Sequence, residues 1–261
     1  MSSRAERRRQ SRSQSKSRSA LASQSNDPVL DVIVHYAPPM TMDDLWTCLR
    51  SLWIDRSTLT VCSFAPIPEP PDEVRPADWR RPIFGNHDAT RRRTLAVSRQ
   101  RAPFLLFVNG DCRLRDHKDV DLALGHLAQG AAAVGGLLVQ GDEVTAAGYA
   151  FGARGPYPRY GGWSLKNERV QQARPLQAVP GQFLLTTRST WTALNGLTKE
   201  FKDRSCWDID YCLRAARRGE GYVFYEPAVV VQSPPLAKVD GAGLQLLIAL
   251  SPPTYDEWHV L

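Results

Sequence analysis

Phe104-Leu105-Leu106-Phe107-Val108-Asn109-Gly110-Asp111-Cys112-Arg113-Leu114 runs from five consecutive apolar residues straight into a polar turn. The apolar part shows no alternation, which suits a strand covered on both faces, as in the middle of a mostly parallel sheet. Ligands of such sheets bind just past the carboxyl ends of the strands, where Asn109, Gly110 and Asp111 fall. Gly110 permits a tight turn. An aspartate on that turn can hold a divalent cation and a diphosphate, although an ordinary Asn-Gly-Asp turn has the same appearance.

Working outward toward the N-terminus, residues 88–100 read as a helix carrying Arg91, Arg92 and Arg93. Three consecutive residues fan around a helix, so at most two of these cations can face one anion. The preceding segment, 65–86, is rich in proline and charge and too long for a simple connection, which marks it as a surface loop. Val29–Tyr36 and Leu59–Phe64 read as strands. Between them Thr41 and Asp44 open a helix with the spacing of a capping box, and Leu45, Leu49 and Leu52 form its apolar stripe. Strand, helix, strand favours a right-handed βαβ unit.

Toward the C-terminus, the pattern predicts a helix over 120–129, a strand over 131–139, and a turn at Gly141-Asp142 into a strand over 144–151. Residues 152–178 are rich in Gly, Pro, Tyr and Arg, and flexible aromatic loops of this kind can stack on sugar rings. A strand over 179–187 and a short helix over 189–194 follow. Short strands over 222–225 and 229–232 flank Pro227, and the chain closes with a helix over 244–250.

Ser205-Cys206-Trp207-Asp208-Ile209-Asp210-Tyr211-Cys212-Leu213-Arg214 begins a second informative stretch, an amphipathic helix that ends at Gly219. Ile209, Leu213 and Ala216 form its buried stripe, and Gly219 is a natural stop. Asp208 and Asp210 stand about 200° apart around the axis, so they cannot serve one site. Ser205 and Asp208 also have capping-box spacing, so Asp208 reads either as a cap or as a functional carboxylate.

Composition narrows the classes. Hydrophobic content of 43% and charged content of 23% are ordinary for a globular chain. Of the net charge of +6, residues 1–28 carry +5, so the remaining chain is nearly neutral. That Ser/Arg-rich tail has little to bury and is expected to be disordered. It could contact an anionic membrane surface or nucleic acid, but no specific nucleic-acid partner is expected for the body of the chain. Five scattered cysteines form no CxxC pair, which fits a reducing compartment rather than a disulfide or zinc framework. No apolar run reaches the roughly 18 residues of a membrane span.

The element order, the 104–114 strand and turn, and the Trp207–Arg214 helix together resemble the GT-A fold glycosyltransferases of family 2, the inverting, rhamnosyltransferase-like enzymes. The resemblance covers residues 29 to about 233. It implies an α/β fold with a mostly parallel central sheet flanked by helices, organised as a basic tail (1–28) and a glycosyltransferase-like domain (29–261). It further implies transfer of a sugar from a nucleoside-diphosphate donor to an acceptor hydroxyl with inversion, by a cytoplasmic protein that the tail could hold at the membrane face.

The same resemblance assigns roles residue by residue. Asp208 would be the general base. Asp111, Asn109 and Gln232 would form a weak Mg²⁺ or Mn²⁺ site. Tyr36, Ala37, Ser63, Arg92, Arg93 and Gly110 would contact the donor, and Trp207, Trp163 and Gly181 the acceptor, a glycan or another hydroxyl compound. Departures from the family pattern are Asn109 for an Asp, Trp207 for a Glu, Gln232 for a His, and Ser63 for a base-binding Asp. They leave a second expectation: a catalytically impaired GT-A domain that works as a binding or assembly partner.

Overall fold

The computed structural model describes residues 27–74, 82–85, 88–202, 205–217 and 221–254. Nearly all of the basic tail, part of the proline-rich connection and the helix stop expected at Gly219 lie outside the described residues.

The chain opens with β1 (Leu30–Tyr36), α1 (Met42–Ser51) and β2 (Ser57–Ser63), and β1 pairs in parallel with β2 along its whole length. The capping box at α1 forms as expected. The Thr41 hydroxyl accepts the Asp44 N–H at 3.1 Å, and Asp44 Oδ2 accepts the Thr41 N–H at 2.8 Å. There follow β3 (Ile83–Phe84), α2 (Ala89–Ser98) behind its cap Asp88, β4 (Phe104–Asn109) and β5 (Arg113–Leu114). Next come α3 (Val120–Ala128), β6 (Ala131–Gln140), β7 (Glu143–Ala146), β8 (Tyr149–Gly152), β9 (Gly155–Pro158) and β10 (Arg174–Leu176). The chain continues through β11 (Phe183–Thr187), α4 (Arg188–Ala193), α5 (Trp207–Arg217), β12 (Tyr222–Gln232) and α6 (Gly241–Leu250).

Among the described residues the main sheet runs β10-β12-β6-β11-β4-β1-β2-β3, with β5 on β12 and β7 on β6. The β3-β2-β1-β4 half is parallel. In the other half β11 runs antiparallel to both β4 and β6, so the sheet as a whole is mixed. The chain leaves β1 in one direction through β2 and β3, then returns to β4 on the other side. β1 and β4 therefore flank the switch point where ligands of open α/β sheets bind.

Strand alternation sorts the side chains into two layers. Val32, Val34, Leu59, Val61, Leu106 and Val108 pack with Leu45 and Leu49 of α1. Ile33, Cys62, Leu105 and Phe107 pack on the opposite face with Ala96 and Val97 of α2 and Ile209 of α5. β4 is thus covered on both sides, the reason its sequence does not alternate.

Several local expectations change. The 144–151 strand is broken at Gly148, which sits at φ +83°. β8 there leaves the main sheet and pairs with β9 alone. The two short strands around Pro227 merge into β12, with an irregularity between Glu226 and Val230 that accommodates the proline. The strand expected from Val179 starts at Phe183, and 179–182 is loop.

Buried polar anchors hold the edges. Asp31 at the amino end of β1 accepts from Thr58 Oγ1 at 2.6 Å, Ala102 N–H at 2.8 Å and Arg188 Nη2 at 2.6 Å. The five cysteines are free and buried. No helix among the described residues is long and apolar enough to cross a membrane.

Candidate active site

A cleft of about 620 Å³ opens at the carboxyl edge of β1 and β4, on the face covered by α2 and α5. Register brings its floor together, because His35 pairs with Asn109 and Tyr36 with Ser63. The layer rule then decides which residue of each strand end enters the cleft. His35, Phe64 and Asn109 continue the side of Ile33, Cys62 and Phe107, and all three line it.

Tyr36 and Ser63, expected at the donor, fall on the other side. Tyr36 packs against the α1 layer. Ser63 is buried, and its hydroxyl donates to the Ala65 carbonyl, closing the turn after β2. Of the expected donor residues, Ala37, Arg92 and Arg93 line the cleft. Gly110 is not part of the lining. Its N–H donates to the His35 carbonyl at 2.8 Å, and a Cβ there would lie 3.2 Å from that oxygen and 3.3 Å from Leu45 Cδ1. Gly110 is needed for close approach at the turn.

The arginine run behaves as helical geometry requires. Arg91 is exposed, whereas Arg92 and Arg93 are buried and turned to the cleft. The Arg93 guanidinium lies 4.4 Å from the Trp207 ring centroid, and that of Arg92 lies 5.8 Å from Phe64, so aromatic faces hold both in place. Between them sits His35, whose Nε2 is buried with no hydrogen-bond partner among the described residues. Burial first, and then Arg93 and Arg92, push its imidazole well below the usual histidine range, so the ring is neutral near pH 7.

Asp208 stands in the first turn of α5, buried at the cleft wall. The Gly181 N–H donates to its Oδ2 at 2.7 Å, the Tyr149 hydroxyl to the same oxygen at 3.4 Å, and the Ile209 N–H to Oδ1 at 2.9 Å. Burial raises its pKa, against the pull of those N–H groups and of Arg93. A carboxylate offers about four lone-pair sites. Two of these donors address Oδ2 and one Oδ1, and the Asp208 N–H also bonds to the carboxylate. The expected Ser205–Asp208 capping box does not form. Ser205 instead donates its hydroxyl to Asp240 Oδ2 at 2.7 Å and ties the start of α6 to that of α5. Asp210 points away, as the helical wheel required, and is held by Thr198 at 2.5 Å, Arg214 at 2.8 Å and Ser251 at 2.7 Å.

Gly181 is the close-packing point of this wall. A Cβ on it would lie 2.3 Å from Trp207 Cζ2 and 3.0 Å from Asp208 Cβ. Gly181 and Trp207 line the cleft beside Asp208. Trp163 does not. It lies half-exposed on the turn after β9, 4.7 Å from the Tyr160 ring. The wall is built on two non-glycine residues in left-handed backbone, Lys202 at φ +50° and Cys206 at φ +73°. Such strain concentrates at functional sites.

The expected metal set is split. Asn109 faces the main cleft, while Asp111 and Gln232 line a neighbouring cleft of about 550 Å³ that also contains Asp43 and Asp44. Asn109 and Asp111 would share a face on extended backbone. But β4 ends at Asn109 and the chain turns through Gly110, with the Cys112 N–H donating to the Asn109 carbonyl at 3.0 Å, and this turn sends the two to different clefts. Burial raises the Asp111 pKa, and Asp44 adds to the effect. Among the described residues no group of three His, Cys, Asp or Glu side chains converges to hold an ion. One carboxylate and distant neutral oxygens do not fit the oxygen-rich cage that Mg²⁺ or Mn²⁺ takes.

His35, Phe64, Tyr149, Lys202 and Lys238 complete the lining and were not singled out from the sequence. For His35 and Phe64 half a signal existed, since period-2 counting along β1 and β2 puts them on the face opposite Tyr36 and Ser63, without saying which face bears the cleft. For Tyr149, Lys202 and Lys238 none did: Lys202 and Lys238 come in on loops, and Tyr149 opens β8, which has left the main sheet.

No protein-family model matches the chain, and no curated protein matches it. Solved structures do. A mannosyltransferase from Pyrobaculum calidifontis, in complex with GDP-Man and Mn²⁺, superposes with a TM-score of 0.57 at 13% identity over 84% of this chain. GalNAc-T7, with UDP, GalNAc and Mn²⁺, superposes with a TM-score of 0.59 at 10% identity, again over 84% of this chain. The chain spans 59% and 45% of the lengths of those two proteins. With the split βαβ half, the cleft at its switch point and these superpositions, the chain has the GT-A glycosyltransferase fold.

Proposed function

We propose that the chain is a glycosyltransferase that moves a sugar from a nucleoside-diphosphate donor to an acceptor hydroxyl with inversion. The observation that carries this reading is Asp208: a buried carboxylate of raised basicity, at the wall of a switch-point cleft that two buried arginines also line, with Arg93 near enough to act on it. In the reaction Asp208 Oδ1 takes the acceptor proton as the acceptor oxygen attacks the anomeric carbon. The bond from that carbon to the diphosphate oxygen breaks, and the electron pair leaves on the diphosphate. A base with a pKa moved toward the working pH is the more effective one. Trp207, beside Asp208, offers an indole face for the acceptor, and Phe64 offers a ring at the far side for the nucleotide base. Gly181 supports the reading from beneath, holding Asp208 by its N–H and leaving room for Trp207.

A second reading keeps the same cleft as a binding site without turnover. It draws on the three donors already directed at the Asp208 carboxylate and on the divided metal set. Incubation of the chain with a panel of nucleotide sugars and simple glycoside acceptors, with detection of released nucleoside diphosphate, separates the two. Acceptor-dependent release of one nucleotide, with inverted stereochemistry in the product, supports transfer. Binding of a nucleotide sugar with no release over many hours favours the second reading.

A further inference from the structure

The two adjoining clefts carry opposite charge. The main cleft is lined by Arg92, Arg93, Lys202 and Lys238 against Asp208 and Asp240. Asp240 is engaged at the start of α6, where its carboxylate accepts from Ser205 and from the Gly243 N–H. The neighbouring cleft is lined by Asp43, Asp44 and Asp111 against Arg113. A diphosphate is drawn to the first and repelled by the second. In a metal-bridged site the order is reversed: carboxylates sit beside the diphosphate and the ion lies between them.

Resting on the proposed function, we infer that this chain binds the diphosphate of its donor without a divalent cation, through a clamp of Arg92 and Arg93 completed by the lysines of the cleft rim. Each guanidinium is stacked on an aromatic face, Arg93 on Trp207 and Arg92 against Phe64, so its plane is set before the ligand arrives. A planar fork held in this way matches a phosphate with paired N–H donors. His35 adds a neutral buried ring whose Nε2 has no hydrogen-bond partner among the described residues. As an N–H it donates to a phosphate oxygen, and burial, with Arg93 and Arg92 adding to it, keeps it uncharged. Lys202 is positioned by its own carbonyl, which accepts the Thr90 hydroxyl at 2.7 Å at the start of α2. Positive charge in the cleft therefore neutralises the charge that develops on the leaving diphosphate.

The test is equilibrium binding and thermal stabilisation of the full chain with inorganic pyrophosphate and with GDP, UDP, CDP, ADP and dTDP. Each ligand is measured in excess EDTA and again with Mn²⁺. The expected result is a nucleoside diphosphate that binds equally well under both conditions, with affinity that falls as salt rises. Arg93→Gln and Arg92→Gln should each weaken it roughly 10- to 100-fold, and Asp111→Asn should leave it unchanged. Because both arginines are buried and their variants can misfold, Lys238→Gln, on an exposed residue, serves as the second variant and should weaken binding several-fold. Binding that requires Mn²⁺ and is abolished by Asp111→Asn overturns the clamp while leaving sugar transfer standing. No binding of any diphosphate under either condition overturns the clamp and the donor-site reading together.

Discussion

Replacing Asp208 with asparagine removes one negative charge and keeps the shape of the side chain. As a base in the transition state Asp208 should supply roughly 100- to 10,000-fold of rate, which is about 2.7–5.5 kcal/mol at 1.36 kcal/mol per tenfold. The substitution also has a structural cost. The carboxylate accepts from Gly181 N–H on one oxygen and Ile209 N–H on the other. An amide has one oxygen, so its NH₂ must face one of those donors, at about 1–3 kcal/mol. Relief of the buried charge works against that cost. The folded pKa of Asp208 lies above its unfolded value, so the folded state holds the proton more tightly. Its contribution to stability is greatest at low pH and declines as pH rises from the unfolded pKa through the folded one. Asparagine has no such decline, and the variant should therefore gain on wild type as pH rises through that window.

The assay is kcat and KM for transfer across pH, with nucleotide affinity measured in parallel on each protein. Wild-type kcat/KM should fall on the acid side at a higher pH than an exposed aspartate of pKa about 3.9 would give, because the base must be ionised. Asp208→Asn should lose kcat by at least a hundredfold with donor affinity nearly unchanged. A variant that binds the donor normally and retains kcat within tenfold of wild type refutes Asp208 as the base.

Two further outcomes follow from the same wall of the cleft. Gly181→Ala places a methyl group 2.3 Å from Trp207 Cζ2, so Trp207 must move. Thermal unfolding should show a loss of about 1–3 kcal/mol, with KM for the acceptor rising more than KM for the donor. Asp210→Ala strips Arg214, Thr198 and Ser251 of their shared carboxylate. It should cost about 3–5 kcal/mol by denaturant titration, while transfer per folded molecule stays close to wild type, the opposite pattern to Asp208→Asn.

Local pattern was enough to read most of the elements and the GT-A resemblance. Unalternating apolar residues marked β4 because both its faces are covered, and Thr41 with Asp44 marked the start of α1 because a capping box needs only neighbours. The helical wheel separated Asp208 from Asp210 before any contact was known, since 200° around one axis is a local quantity. The same geometry limited how many of Arg91, Arg92 and Arg93 could face one anion; Arg92 and Arg93 were named from the family resemblance, and only the structure shows Arg91 turned away.

What local pattern could not supply was which side of the sheet the cleft would occupy. That choice is made by α2 and α5 packing together on one face, and it reverses the role of every alternate residue at a strand end. His35 and Phe64 enter the cleft in place of Tyr36 and Ser63 because neighbouring side chains on extended backbone point to opposite faces, and Asn109 parts from Asp111 because the chain leaves β4 in a turn at Gly110. Lys202 and Lys238 reach the cleft through loops, and Tyr149 through β8 outside the main sheet, on paths that depend on contacts far away in sequence. The division of charge into a basic cleft and an acidic one is likewise a property of the assembled sheet edge, where residues from separate segments of a nearly neutral domain are sorted by position rather than by order in the chain.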